Sequence, residues 1–459
     1  MRKYREIMIV IIIALLTGCT GKHYEKIQGI GEGQDSSQNV EREKQEGQLD
    51  SEIWKEEANG QKAKQEIIIS DNETAAGDDK RRLLEGDLGK ETGQRADGAS
   101  PETGAYMEEK SLTLLFSGDV LLSNHVLNAY DKAGGIQGVL DEAYQKQIHE
   151  ADFFLVNQEF PFSDRGTAAE DKQYTFRLSP DRVSLFQEME IDGVTLANNH
   201  ALDFGREALL DSCEILDKAG ILHTGAGPDL DSARQPVSVE LKGKRIALIG
   251  ATRVIPVADW AAGKDHPGML AAYDMTVLLE EIRRQKEEND FVAVCIHWGI
   301  ERDEKPQEYQ KTMGQQMIDA GADLVIGSHP HVLQGIEYYK GKPIVYSLGN
   351  FVFGSSIPRT ALLQVSWENP QGTKPDKTRG EGQEKEGKEG EEETEEPILR
   401  LIPGTSASGY TRMLTDKEER EAFFRYMESI SYGVSFREDG TVAAGKRDTR
   451  EEQEHNGKE

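Results

Sequence analysis

Thiol chemistry has little room in this chain, which holds three cysteines among 459 residues. Cys213 falls in a helical pattern and Cys295 inside the apolar stretch "FVAVCIHWG". Each reads as a small buried hydrophobe, and two cysteines give no framework for a disulfide scaffold. Basic residues are also short, with 54 Lys and Arg against 83 Asp and Glu and a net charge of −29. That balance repels nucleic acid and anionic lipid headgroups. No glycine fingerprint of a dinucleotide fold occurs. "GAGPDL" at Gly225 lacks the Lys-Ser/Thr that a phosphate-cradling loop needs. No internal repeat is evident, and no apolar run reaches the ~20 residues of a membrane-spanning helix.

The longest apolar run, Ile7–Leu16, lies between a basic start and "LTGC" ending at Cys19. Its length suits a signal-peptide core. The small residues before Cys19 resemble a bacterial lipoprotein cleavage site, which would make 1–19 a leader and Cys19 the lipidated first residue of the mature chain. An uncleaved signal anchor is the alternative. Both place the protein on the extracytoplasmic face of the cell membrane. Residues 20–110 are polar, charged and poor in aromatics, and cannot bury enough apolar surface to offset their ordering entropy. They read as a disordered tether.

From Ser111 the texture changes to apolar runs alternating with helical patterns, which argues α/β architecture. "SLTLLFSGDV", "ADFFLVNQEF", "DGVTLANNH", "KRIALIGAT", "DFVAVCIHWG", "ADLVIGSHPH" and "KPIVYSLGNFVF" read as strands. Continuous apolar runs of this kind suit strands covered on both faces. Helices are expected over 136–149, over "SPDRVSLFQEMEI" with Ser179 as N-cap and Pro180 in the first turn, and over "GREALLDSCEILDKAG" closed by Gly220. Two more fall at "AAYDMTVLLEEIRRQKEEN" and "PQEYQKTMGQQMIDAG". The main domain is placed at 111–367. "ALLQVSWE" and "EPILRLIPG" read as neighbouring strands separated by an acidic low-complexity insertion, 368–396. A closing strand and helix of the same domain occupy 397–445, the helix burying Phe423, Phe424 and Met427, and 446–459 reads as a disordered tail.

The polar residues collect where the strands end: Asp119, then Glu159, Asn199 with His200 and Asp203, His297, and the pair His329 and His331 around Pro330. Ligands of open α/β sheets bind outside the carboxyl ends of strands. Mixed carboxylate, amide and imidazole donors suit Mn, Fe, Zn or Mg and argue against a soft thiolate site. The set is large enough for two divalent metal ions sharing a bridging carboxylate. The two histidines of "HPH" are expected on one side of an extended segment stiffened by proline.

These stretches, with "FSGDVLL", "YTFRLSP", "TGAG", "IHWGIE" and "YSLGNFVF", resemble the calcineurin-like metallophosphoesterase superfamily, and more closely its CapA branch, also called PgsA, linked to poly-γ-glutamate capsule synthesis. The resemblance spans about residues 111–354 and implies a four-layer αββα sandwich, two mixed sheets between helices. It implies that Asp119 and His331 bind a first metal, that Glu159 bridges, and that Asn199, His297 and His329 bind a second. It makes His200 the catalytic histidine, with Asp203 orienting it, and Arg177 a candidate for pairing with a substrate anion. The superfamily begins with Asp-x-His, whereas Leu121 stands at that position here. The first metal is therefore one ligand short unless a turn brings His125 back. Three functions follow as expectations: a metal-dependent hydrolase of phosphate esters or related anionic bonds, a polymer-handling or non-catalytic subunit working with membrane-bound capsule synthase subunits, and an interaction protein docking through its tether and acidic loop.

Overall fold

The computed structural model describes residues 111–170, 172–368 and 396–445. Cys19, the tether, the acidic insertion and the tail lie outside the described residues.

The strands run in chain order as β1 (Leu112–Val120), β2 (Phe153–Gln158), β3 (Gly193–Thr195), β4 (Leu222–Thr224), β5 (Ala226–Gly227), β6 (Val237–Leu241), β7 (Lys244–Thr252), β8 (Gly268–Met269) and β9 (Phe291–His297). They continue as β10 (Leu324–Ser328), β11 (Leu333–Tyr339), β12 (Lys342–Leu348), β13 (Asn350–Val352), β14 (Ser356–Trp367), β15 (Ile398–Ala407), β16 (Tyr410–Met413), β17 (Val434–Phe436) and β18 (Val442–Ala444). Two large sheets result. The first is ordered β16-β15-β14-β1-β2-β3-β4, with β13 also beside β1; the second is ordered β11-β12-β10-β9-β7-β6. Both are mixed. β1 to β4 pair in parallel, while β14, β15 and β16 run antiparallel. In the second sheet β7, β9, β10 and β12 are parallel, with β6 and β11 antiparallel at its edges.

Side-chain alternation decides which faces are covered. On β9, Phe291, Ala293 and Cys295 enter one apolar core while Val292, Val294 and Ile296 enter another. The first core also takes Leu112, Leu114 and Phe116 from β1 and Leu363 and Val365 from β14, so the two sheets pack face to face through it. Phe291 and Trp367 meet across that seam edge to face at 5.0 Å. The second core is closed by helices Thr276–Glu288 and Glu308–Asp319 through Leu278, Ile282, Met313 and Met317. Burial on both faces explains why these strands read as unbroken apolar runs. Cys213 and Cys295 are buried and free, and burial pushes each thiol up to about 12.

Some elements depart from the sequence-based expectation. The helix expected over 136–149 is a short 3₁₀ turn, Ile136–Gly138, followed by a helix from Glu142 to His149. The break falls at Asp141, whose side chain accepts from the Tyr144 amide at 2.9 Å and so starts the helix there. A helix at Asn124–Ala133, in which Val126 is buried, goes unpredicted. Ser179 makes no side-chain cap, and Pro180 opens a 3₁₀ turn ahead of helix Val183–Glu188. The helix Gly205–Ala219 ends as expected at Gly220, with φ 76°. β14 and β15 do pair as neighbours across the insertion.

One glycine governs how β1 delivers its last residues. A Cβ on Gly118 would lie 1.8 Å from the Gly349 carbonyl oxygen, and the same backbone oxygen accepts from the Asp119 amide at 2.8 Å. Gly118→Ala is expected to destabilise the protein by at least about 2 kcal/mol, because backbone on both sides must move. The check is a chemical-denaturation midpoint against wild type, and an unchanged midpoint contradicts this packing.

Candidate metal centre

Strand register brings the polar ends together. Asp119 stands opposite Asn157 on β2 and opposite Asn350 on β13. On the second sheet His297 stands opposite Ser328 of β10 and Thr252 of β7. Beyond β3 the chain leaves regular structure, and Asn198 holds the turn by donating to the Gln158 carbonyl at 2.7 Å and accepting from the His200 amide at 3.0 Å.

The ends of the two sheets then meet. His297 Nε2 lies 2.8 Å from Asn199 Oδ1 and 3.5 Å from Glu159 Oε1. His331 Nδ1 lies 3.2 Å from Asp119 Oδ2 and 4.0 Å from Glu159 Oε2. The His329 amide donates to Asp119 Oδ2 at 3.3 Å, and the rings of His297 and His329 are 4.7 Å apart. All six expected ligand residues thus fall in one buried cluster. The explanation by an extended segment does not hold for "HPH". His329 and His331 both sit in the left-handed region, at φ 96° and 58°, so a turn and not a pleat aims their rings inward. Non-glycine residues held there cost of order 1–3 kcal/mol each, strain that gathers at functional sites.

Two carboxylates share the cluster with no exposure at all, Asp119 and Glu159. The Asn157 side-chain amide donates to both, at 2.8 Å to Asp119 and 3.2 Å to Glu159. Burial first, and then the Asp119 charge, push the Glu159 carboxyl well above its usual range. Burial and the neighbouring imidazoles hold His297 and His329 well below theirs, which keeps both rings in the neutral, ligating form. Burial also opposes charge on His331, but Glu159 and Asp119 outweigh it and push that imidazole up to about 9. Glu159 Oε2 and His329 Nδ1 are buried without a hydrogen-bond partner. Buried polar atoms are rarely left so. Two orphaned acceptor-capable atoms among carboxylates and imidazoles are what a divalent cation would satisfy, so the residues present fit a metal. His297 Nδ1 meets Ser328 Oγ at 2.9 Å and His331 Nδ1 meets Asn350 Oδ1 at 2.8 Å, contacts that fix the rings.

Beside this cluster His200 Nδ1 lies 2.7 Å from Asp203 Oδ2, which also accepts from the Phe176 amide at 2.7 Å. Lys172 was not anticipated. Its ammonium pairs with Asp203 Oδ1, donates to the Asn199 carbonyl, and lies 3.0 Å from His200 Nδ1. Burial holds the Lys172 ammonium below its usual range. Nothing in "EDKQY" marks it in sequence, because its role comes from the fold of residues 172–178 beside the dyad. Arg177 donates to the Arg165 carbonyl at 2.9 Å and covers the Phe204 ring at 4.1 Å, so its described contacts are with its own loop and Phe204. Leu121 is buried in the core, and His125 lines a surface cleft with Asn128, Lys132 and Ser408 that includes none of the cluster. Glu301, also unanticipated as a ligand, comes close to His329 and His331.

The family model described as bacterial capsule synthesis protein PGA_cap matches residues 113–355, and the chain belongs to that family. It is 32% identical over 281 residues to the capsule biosynthesis protein CapA of Bacillus anthracis, covering 59% of this chain and 67% of that protein. It is likewise 32% identical over 270 residues to the PGA biosynthesis protein CapA of Bacillus subtilis, covering 58% of this chain and 70% of that protein. A probable polyglutamine synthesis accessory protein of Mycobacterium tuberculosis is 32% identical over 211 residues, 44% of this chain and 55% of that protein.

His331 gives a signed pH dependence. Its pKa moves from an ordinary 6.5 to about 9 in the fold, so its ion pairing stabilises the protein fully below the unfolded value and is lost as pH rises through about 9. With chelator present, the denaturation midpoint is expected to fall between pH 7 and pH 10 more steeply in wild type than in His331→Gln. Parallel curves for the two proteins contradict it.

Proposed function

We propose that this chain is a lipid-anchored, extracytoplasmic protein of capsule polymer biosynthesis, handling poly-γ-glutamate through a dinuclear-type site that supports metal-dependent hydrolysis of an anionic bond. The observation that carries the metal reading is the pair of orphaned buried atoms, Glu159 Oε2 and His329 Nδ1. The polymer class comes from the family. Attachment through Cys19 and work beside membrane-bound synthase subunits belong to the same proposal. So does the finer architecture, in which the two packed sheets are the inner layers of a four-layer αββα sandwich.

Asp119, Glu159, Asn199, His297, His329 and His331 would hold two divalent cations from among Mn, Fe, Zn and Mg. When bound there, such cations would supply Lewis-acid polarisation of an anionic substrate, activation of water, and local positive charge on an acidic body. The protein's own groups do the rest. Asp203 accepts from His200 Nδ1–H and sets the tautomer, leaving Nε2 for the substrate. The Lys172 ammonium pairs with the other oxygen of that carboxylate, Oδ1. Burial holds His200 below its usual pKa. An anionic group arriving beside it would raise that value and make the ring a proton donor to the leaving oxygen.

A non-catalytic subunit of a membrane synthase is the second reading, favoured by Leu121 standing where a ligand is expected.

Metal analysis of the full-length chain is expected to find about two equivalents of a divalent ion. Asp119→Ala and His329→Ala should each lose metal. His200→Ala should keep it while hydrolysis of a generic phosphodiester falls by roughly 100-fold or more. Unchanged turnover in His200→Ala would remove that residue from the chemistry, and a metal-free wild-type chain would end the proposal.

A further inference from the structure

The missing Asp-x-His ligand leaves a specific gap. Leu121 is 1% exposed and apolar, and His125 faces a separate cleft. The polypeptide closes the gap from elsewhere. Just past β9 the chain turns at Gly299, φ 100°, and runs back over the "HPH" loop. The Arg302 amide donates to the Pro330 carbonyl at 2.8 Å, which pins Glu301 beside the residues flanking that proline. A Cβ on Gly299 would come 2.9 Å from Pro330 Cγ, so this turn lies directly against the loop. Ligand atoms of Glu301, His329 and His331 all lie within 4.8 Å of one another. A second trio with the same mutual spacing, Asp119, Glu159 and His297, is made of different residues.

We propose that Glu301 is a metal ligand, joining His329 and His331 in an outer cation site distinct from an inner site of Asp119, Glu159 and His297. This rests on the metal reading above and revises its allocation of ligands. Two imidazoles and a carboxylate form a donor set suited to Mn, Fe or Zn. His329, a member of this trio, has its Nδ1 buried without a hydrogen-bond partner. The two sites differ in access: every inner ligand is buried, while Glu301 is exposed. The inner cation, held by two carboxylates, is the tighter one and exchanges slowly behind buried ligands, and the outer one exchanges with solvent more readily. Glu301, the carboxylate after "HWGI", thus adds a donor beside His331.

The test is a Mn²⁺ titration of the chelator-stripped full-length chain, reading free Mn²⁺ by electron paramagnetic resonance. Wild type is expected to bind in two steps. Glu301→Gln should keep the tighter step and weaken the other at least tenfold, while Asp119→Asn should weaken the tighter one. Because Glu301 is exposed, metal-free Glu301→Gln should unfold with the wild-type midpoint, which separates ligand loss from misfolding. Two wild-type steps that both persist unchanged in Glu301→Gln overturn the role of Glu301 alone and leave the dinuclear reading standing. Loss of both steps in Glu301→Gln overturns the division into two sites. Fewer than two steps in wild type overturns the inference together with the reading beneath it.

Discussion

Two carboxylates, Asp119 and Glu159, are shut away from water side by side, bridged by one amide from Asn157. Taking such groups out of water costs several kcal/mol each unless positive charge or hydrogen bonds replace the solvent. Much of the surrounding structure answers that demand. His331 is driven toward its charged form, His297 and His329 are kept neutral by their own burial, and one oxygen of Glu159 is left without a hydrogen-bond partner. A cluster in this condition is under tension as a protein-only arrangement and relaxed as a cation site.

The scaffold makes that tension affordable. Two mixed sheets share one apolar core, and their parallel strands end on the same side, so residues separated by two hundred positions meet with little freedom. His329 and His331 hold positive φ in the loop after β10, and within β1 Gly118 passes close against the Gly349 carbonyl. Membership of the capsule synthesis family places the chain among proteins concerned with an anionic polymer.

Much of this was legible in the chain itself. Runs such as "FVAVCIHWG" announce strands covered on both faces, and the ligands at their ends can be read because strand ends converge. What stayed hidden depends on backbone geometry that no local pattern encodes. Glu301 looks like any surface acid until Gly299 turns the chain over Pro330. Lys172 sits in a polar loop, and only the fold of that loop carries its ammonium to Asp203 and His200. "HPH" identifies the imidazoles but not the left-handed backbone that aims them. The helix at Asn124–Ala133 buries Val126 alone, and β6 is an edge strand whose alternate residues face water.

The central claim is that the buried carboxylates and imidazoles exist to hold cations. Anomalous diffraction from crystals of the protein grown with Mn²⁺ tests it most directly. The account predicts two peaks, one within coordination distance of Asp119, Glu159 and His297 and one within reach of Glu301, His329 and His331. A map with no anomalous density near Glu159, at full protein occupancy and millimolar Mn²⁺, would contradict it.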